Sequence, residues 1–266
     1  VGEVAMDDAQ RAAAAARAVF FPRPDLPYGP DFPGAYEHRF EVDDGVAQRI
    51  RVFPLAGDHS ADVLFFHGNG ETARDYDFAA EAFHAIGANL WAGEYRGYGL
   101  AGGEPSVDTL LTDAHRALDE VLAQRQERGA TGPLLVMGRS LGSAPAIELA
   151  SARADDLDGV VIESGFAHTG PLLHTLGAGR AASELKPGDG FNNRSKIAAC
   201  RHPTLIIHAE LDHLIPLSEG QTLFEASPAG NKKMLTIPGA NHNDIFMRAW
   251  PTYRDAVVDL LAHLSA

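Results

Sequence analysis

The chain of 266 residues is 45% hydrophobic and 22% charged, a balance that suits a globular fold with a sizeable core and excludes disordered, collagen-like and repeat chains. At roughly 150 residues per domain, the length allows one large domain or two small ones. Lys and Arg total 22 against 36 Asp and Glu, so the formal charge is −14, a field that repels polyanions, and no nucleic-acid partner is expected.

Residues 1–20, VGEVAMDDAQRAAAAARAVF, are acidic early and Ala-rich later, with no basic start, Leu-rich stretch or cleavage site, so no exported precursor is read here. A cytoplasmic location is the expectation, although a mature secreted form would read the same. Pro22, Pro24, Pro27, Pro30 and Pro33 then precede the alternating runs AYEHRFEV and VAQRIRVF, which read as a lead-in loop followed by antiparallel edge strands. Beyond them ADVLFFHG, ANLWAGEY, GPLLVMGRS, GVVIESG, PTLIIHAE and KKMLTIPG are continuously apolar, as suits a parallel sheet covered on both faces. Helical patterns separate them. The clearest runs from Ser106 to about Arg128, where Val107, Leu110, Leu111, Ala114, Ala117, Leu118, Val121 and Leu122 share one face, with Ser106 as N-cap and Gly129 as terminator. Other helices are expected near Asp75, after Ser140, near Ser218 and near Trp250, giving an α/β architecture with right-handed crossovers. Residues 165–200 break the rhythm. They are rich in Gly and small residues, lack a strand, and are long enough to form a lid or binding loop. The longest apolar stretches, such as Val63 to Phe66 and Leu134 to Met137, fall far short of the ~20 residues that span a bilayer, so no transmembrane segment is expected. The single cysteine, Cys200, cannot form an intramolecular disulfide and reads as a buried bystander.

Gly138, Arg139, Ser140, Leu141 and Gly142 spell GxSxG between the strand LLVM and the helical pattern APAIELASA, the context this motif requires. A strand entering a helix through so tight a turn strains Ser140 and aims its hydroxyl out of the sheet, while the Leu141 amide sits at the helix N-terminus, where developing negative charge is stabilised. A serine hydroxyl needs a base oriented by an acid. Asp212, in ELDHLIP, and His242, in GANHNDI, each follow a strand and so lie at the edge where open α/β sheets hold their sites, in the order Ser, Asp, His. Asp212 is preferred to Glu210 as the acid because it lies beyond the strand, in the turn, free to approach the His242 loop. Upstream, VLFF runs into His67, Gly68, Asn69 and Gly70, a turn whose Asn69 backbone amide is expected to be the second oxyanion donor, with the Asn69 side chain of little consequence and His67 a structural buttress.

Other readings are weaker. Gly97, Gly99 and Gly102 satisfy GxGxxG, but Gly103, Glu104 and Pro105 intervene before the helix, against a dinucleotide site. The 12 histidines include no HExxH, and His208, Asp212 and His213 lack the spacing of a ligand set, so neither metal nor cofactor is expected. A non-catalytic binding protein with the same architecture is the alternative of another class.

The segments HGNGETARDY, EYRGYGLAGGEPS, GRSLGSAPAIELA, VIESGFA, FNNRSKI, PTLIIHAELDHLIP and IPGANHNDI resemble, in order and spacing, the Bem46-like branch of the α/β-hydrolase superfamily, from about Asp62 to the C-terminus. The resemblance implies the α/β-hydrolase fold, a mostly parallel central sheet with helices on both faces and a short cap. Residues 1–266 would then be one domain, with an N-terminal extension at 1–35 and a cap insertion at 165–200. It further implies a serine hydrolase with Ser140 as nucleophile, Asp212 as acid, His242 as base and the amides of Asn69 and Leu141 as oxyanion hole, acting on small-molecule or acylated substrates, esters or thioesters by analogy. Amide cleavage, acyl transfer and perhydrolysis share the same acyl-enzyme and stay open. Glu94 and Ala101 stand where the family commonly has Asp and Ser, and the Pro-rich N-terminal part matches nothing in it. Within the insertion Phe166, Leu172, Leu173, Leu176 and Phe191 suffice to roof an acyl pocket, but also merely to dock the segment on the core; the roof is the expectation, with Phe166, Leu172 and Leu176 the substrate contacts.

Overall fold

The computed structural model describes residues 19–26, 31–43, 45–55, 57, 60–184 and 190–264. Residues 1–18 of the expected N-terminal extension and 185–189 of the expected insertion lie outside them, as do Pro27 and Pro30.

In chain order the strands are β1 (Tyr36–Asp43), β2 (Val46–Phe53), β3 (Ala61–Phe66), β4 (Ala88–Gly93), β5 (Leu134–Arg139), β6 (Gly159–Glu163), β7 (Thr204–Ala209) and β8 (Lys232–Ile237). They form one sheet in the order β1-β2-β4-β3-β5-β6-β7-β8. β1 pairs antiparallel with β2, and β2 antiparallel with β4, with Ile50 opposite Gly93; from β4 to β8 every pairing is parallel. The expected antiparallel pair therefore forms one edge of an otherwise parallel sheet. Central strands bury both faces, which is why their sequences read as continuous apolar runs. Leu64, Phe66 and Val136 enter one core, and Val63, Phe65, Leu135 and Met137 enter the other.

The helices are α1 (Ala80–Ala85), α2 (Val107–Arg128), α3 (Ser143–Ala152), α4 (Thr169–Thr175), α5 (Gly179–Glu184), α6 (Asn193–Ile197), α7 (Leu217–Ala226) and α8 (Ile245–Leu264). α2 starts and stops where expected. The Ser106 hydroxyl accepts the Thr109 amide at 3.0 Å, and Gly129 ends the helix at φ +66°, a left-handed conformation that costs a side chain dearly. Leu110, Ala114, Leu118 and Val121 carry α2 onto the first core, where each large apolar side chain contributes roughly 1.5–3 kcal/mol on burial. Phe83 of α1 and Tyr253, Val257 and Leu261 of α8 close the second core on the opposite face.

Two helices depart from expectation. The one expected near Asp75 opens as a 3-10 turn, Ala73–Phe78, in which the Asp75 carboxylate accepts the Thr72 amide at 2.8 Å, before α1 begins. α8 starts at Ile245 instead of near Trp250 and breaks at Ala249, because Pro251 has no N–H to give and crowds the turn before it. Residues 165–200 contain no strand among those described, but hold the short helices α4, α5 and α6. Cys200 is buried, and burial pushes its thiol up from the ordinary range. Among the described residues no helix is long and apolar enough to cross a membrane.

Candidate active site

β5 ends at Arg139, and the chain turns at once into the short helical turn Ser140–Gly142 that leads into α3. Ser140 takes φ +54°, a left-handed conformation for a residue with a side chain, and the strain tilts its hydroxyl away from the sheet. The turn closes only because its neighbours lack side chains. A Cβ on Gly138 would overlap the Gly142 carbonyl, and one on Gly142 would overlap the Phe66 carbonyl at the end of β3.

Past β8, His242 sits in the loop before α8 and points Nε2 at the Ser140 hydroxyl, 3.0 Å away. Its Nδ1 lies 2.7 Å from Oδ2 of Asp212, which follows β7. A carboxylate can only accept, so Nδ1 carries the hydrogen and Nε2 presents its lone pair to Ser140. The other Asp212 oxygen accepts the amides of Leu214 at 3.0 Å and Ile215 at 2.8 Å, which fixes the carboxylate plane. Burial works against its charge, but the hydrogen bond and charge of His242 outweigh burial and hold the carboxyl down at about 2. Behind it His208, fully buried, has Nε2 2.9 Å from the Ile215 carbonyl, and burial lowers its tendency to protonate. Glu210 is exposed and accepts the Gly239 amide at 2.7 Å, a turn contact away from His242.

The loop after β3 completes the site. Asn69 and Leu141 border the cavity that holds Ser140 and His242, a space of about 190 Å³. Leu172 and Leu176 of the 165–200 segment also line it, together with Leu214, Ile215 and Phe21. Phe166 does not. It is 1% exposed and packs edge-on against Phe191 at 5.2 Å within the first core, so the expectation that it contacts substrate gives way to a packing role. The Asn69 side chain also departs from expectation: Oδ1 accepts the Phe21 amide at 2.9 Å and the Tyr98 hydroxyl at 2.7 Å, and Nδ2 donates to the Val19 carbonyl. His67 is a buttress as expected. It is wholly buried between the Gly68 carbonyl, 2.8 Å from Nδ1, and Glu94, 2.7 Å from Nε2; burial opposes its charge, but Glu94 outweighs burial and raises its tendency to protonate. Glu94, singled out only as a departure from the family pattern, also accepts from Arg49 at 2.9 Å.

The sequence reading missed a buried ionic cluster beside the site. Arg139 donates from Nη2 to the His242 carbonyl at 2.8 Å, from Nε to Glu163 at 3.1 Å and from Nη1 to Glu71. Glu71 in turn accepts the Gly68 amide and the Tyr76 hydroxyl, each at 2.7 Å. One guanidinium thus links the elbow, the His242 loop and the loop carrying Asn69, and no residue-type pattern in the sequence marks it except the position of Arg139 within GxSxG. A second cavity of about 640 Å³, lined by Phe78, Phe246, Trp250 and Tyr253, shares Glu71, Arg139, His242 and Asn243 with the first, but neither Ser140 nor Asn69 borders it. The smaller cavity is therefore the one that reaches the serine.

Residues 57–188 match the family model described as serine aminopeptidase, S33. The chain is 30% identical over 207 residues to the alpha/beta hydrolase domain-containing protein aho-3 of Caenorhabditis elegans, an alignment covering 74% of this chain and 57% of that protein. Against the uncharacterized protein YfhR of Escherichia coli it is 26% identical over 253 residues, covering 91% of this chain and 86% of the relative. Among solved structures, the Pyrococcus furiosus esterase Pf2001 superposes with a TM-score of 0.75 at 16% identity, covering 92% of this chain and 98% of that one. A soluble variant of monoglyceride lipase from Saccharomyces cerevisiae superposes with a TM-score of 0.69 at 16% identity, covering 90% and 99%. At such identities the structural likeness is one of fold.

Proposed function

The chain belongs to the α/β-hydrolase superfamily, and from that premise we propose that it is a serine hydrolase that cleaves a carboxylic ester or thioester through an acyl-enzyme on Ser140. The observation that carries the reading is the unbroken hydrogen-bonded chain from Asp212 through His242 to the Ser140 hydroxyl, on a serine at φ +54°. In the proposed reaction His242 Nε2 takes the Ser140 proton as the oxygen attacks the acyl carbonyl. Asp212 keeps the imidazole in the required tautomer and stabilises the imidazolium without taking its proton. The amides of Asn69 and Leu141 receive the oxyanion, the alcohol or thiol leaves with the proton from His242, and water then repeats the sequence on the acyl-enzyme.

A cavity of about 190 Å³ holds roughly six water volumes and lies below the usual range for drug-sized ligands, which favours a short acyl group. Leu172, Leu176, Leu214 and Ile215 give it an apolar wall suited to such a chain. Aminopeptidase activity, which the family description names, would need a carboxylate free to hold a substrate ammonium. Glu71, the carboxylate on this cavity among the described residues, is already engaged by Arg139, Gly68 and Tyr76, which argues against it. The test is a panel of p-nitrophenyl esters from acetate to laurate, with wild type and Ser140→Ala. Turnover is expected to peak at short chains and to vanish nearly completely in the variant; equal turnover by the variant would sink the proposal.

A further inference from the structure

Residues 19–23 precede the segment that the family model covers, and the sequence assigns them no role. Val19 and Phe20 are almost wholly buried, yet the next residue, Phe21, is 48% exposed and lines the cavity with Ser140 and Leu141. The backbone of this strap is bound to the Asn69 side chain at Val19 and Phe21, and Arg23 adds a side-chain bond to the same loop. The Val19 carbonyl accepts from Asn69 Nδ2, and the Phe21 amide is shared between Asn69 Oδ1 and the Tyr98 hydroxyl, each at 2.9 Å. Tyr98, fully buried, donates its own hydrogen to Asn69 Oδ1 at 2.7 Å. Arg23 then donates to the Gly70 carbonyl and to Asp75, and its own carbonyl accepts the Gly99 amide at 2.8 Å. The loop so gripped has Gly68 and Gly70 on either side of Asn69, Gly70 at φ +75°, and would otherwise have the backbone freedom of its glycines. An oxyanion donor is effective only when it is fixed before the charge develops.

We infer that the strap Val19–Arg23 is a working part of the active site: by gripping the Asn69 side chain it positions the Asn69 amide for the oxyanion, and through Phe21 it walls the cavity and limits acyl length. The inference rests on the serine-hydrolase reading above. In it the Asn69 side chain and Tyr98 are positioning groups; the amide alone meets the substrate. Loss of the grip lets the amide drift, which costs transition-state binding and leaves ground-state binding nearly intact, because a substrate carbonyl carries little charge.

The experiment uses the full chain with Asn69→Ala, Tyr98→Phe and Phe21→Ala, each checked by circular dichroism. Readouts are kcat and KM on the ester panel, inhibition by a trifluoromethyl ketone that mimics the tetrahedral state, and labelling by a fluorophosphonate. Asn69→Ala is expected to lower kcat by roughly 10- to 100-fold with KM changed by less than about threefold, and Tyr98→Phe to lower it by about 3- to 10-fold. The ketone should weaken by the factor by which kcat/KM falls. Phe21→Ala should move the preferred ester toward longer chains. Wild-type kcat and ketone affinity in both Asn69→Ala and Tyr98→Phe, or an unchanged chain preference in Phe21→Ala, would overturn the inference and leave the hydrolase reading standing. If Asn69→Ala does not fold, Tyr98→Phe, which removes one hydroxyl, decides alone. A wild-type protein that neither hydrolyses any ester nor takes the label overturns the hydrolase reading itself, and this inference with it.

Discussion

Replacing Asp212 by Asn changes one heavy atom and should disable the base one hydrogen bond away. Asp212 Oδ1 is committed to the amides of Leu214 and Ile215, and only an oxygen can accept them. The Asn side chain therefore keeps its carbonyl there and turns its NH2 toward His242 Nδ1, where the carboxylate now lies at 2.7 Å. Facing a donor, Nδ1 must become the acceptor, so the ring hydrogen moves to Nε2 and points at Ser140, which then has no base. The imidazolium that forms during attack also loses its counter-charge. Together these changes should lower kcat by roughly 10³- to 10⁴-fold, about 4 to 5 kcal/mol of transition-state stabilisation. Glu210→Gln is the matched control: Glu210 is exposed and its carboxylate accepts the Gly239 amide, which a Gln oxygen accepts equally well, so its loss should stay under about tenfold. Steady-state ester hydrolysis near neutral pH, with circular dichroism on both variants, reads the outcome. An Asn variant that keeps kcat within about tenfold of wild type while folded would refute the assignment of Asp212 as the orienting acid.

Acid should expose the same carboxylate in the stability curve. The folded-state pKa of Asp212 is depressed to about 2 from 3.8, so its contribution of about 2 kcal/mol is fully present above roughly pH 4 and is lost as pH falls through about 2. In urea titrations the stability gap between wild type and Asp212→Asn should narrow over that window, and a gap constant with pH would contradict the cause assigned to the shift. Gly142→Ala drives a Cβ into the Phe66 backbone carbonyl and should cost at least about 3 kcal/mol of stability together with nearly all activity; a wild-type melting temperature would show that the elbow relaxes freely. Phe166→Ala should cost about 3 to 5 kcal/mol and leave chain-length preference unchanged, whereas Leu172→Ala and Leu176→Ala should shift that preference toward longer chains. A reversal of these two patterns on the ester panel would return Phe166 to the cavity wall.

The parts of the molecule that could be read from the sequence are those set by local rules. Strands β3 to β7 announce themselves because central parallel strands are apolar on both faces, and α2 because Ser106 and Gly129 bracket one helical stripe. The Ser140 turn was legible for the same reason: Gly138 and Gly142 are the residues a turn that tight can hold. Asp212 and His242 were legible only as loop residues after strands, and their approach to Ser140 depends on the sheet order. What escaped depends on long-range contact. The Asn69 side chain looked idle because its partners Val19, Phe21 and Tyr98 lie 50, 48 and 29 residues away. Arg139, Glu71 and Glu163 meet only when β3, β5 and β6 are laid side by side. Phe166 and Leu172 belong to one apolar set in the sequence. Only the packing of Phe166 on Phe191 separates the residue that fills the core from the one that lines the cavity.

The account stands or falls on a covalent bond to one oxygen. Mixing the protein with excess p-nitrophenyl butyrate, quenching in acid within the first turnovers and weighing the intact chain should reveal a butyryl adduct. Fragmentation should place that adduct on Ser140, and it should be absent from Ser140→Ala. An adduct on another residue, or rapid ester hydrolysis by Ser140→Ala with no adduct at any time, would contradict the acyl-enzyme on Ser140 and the function built upon it.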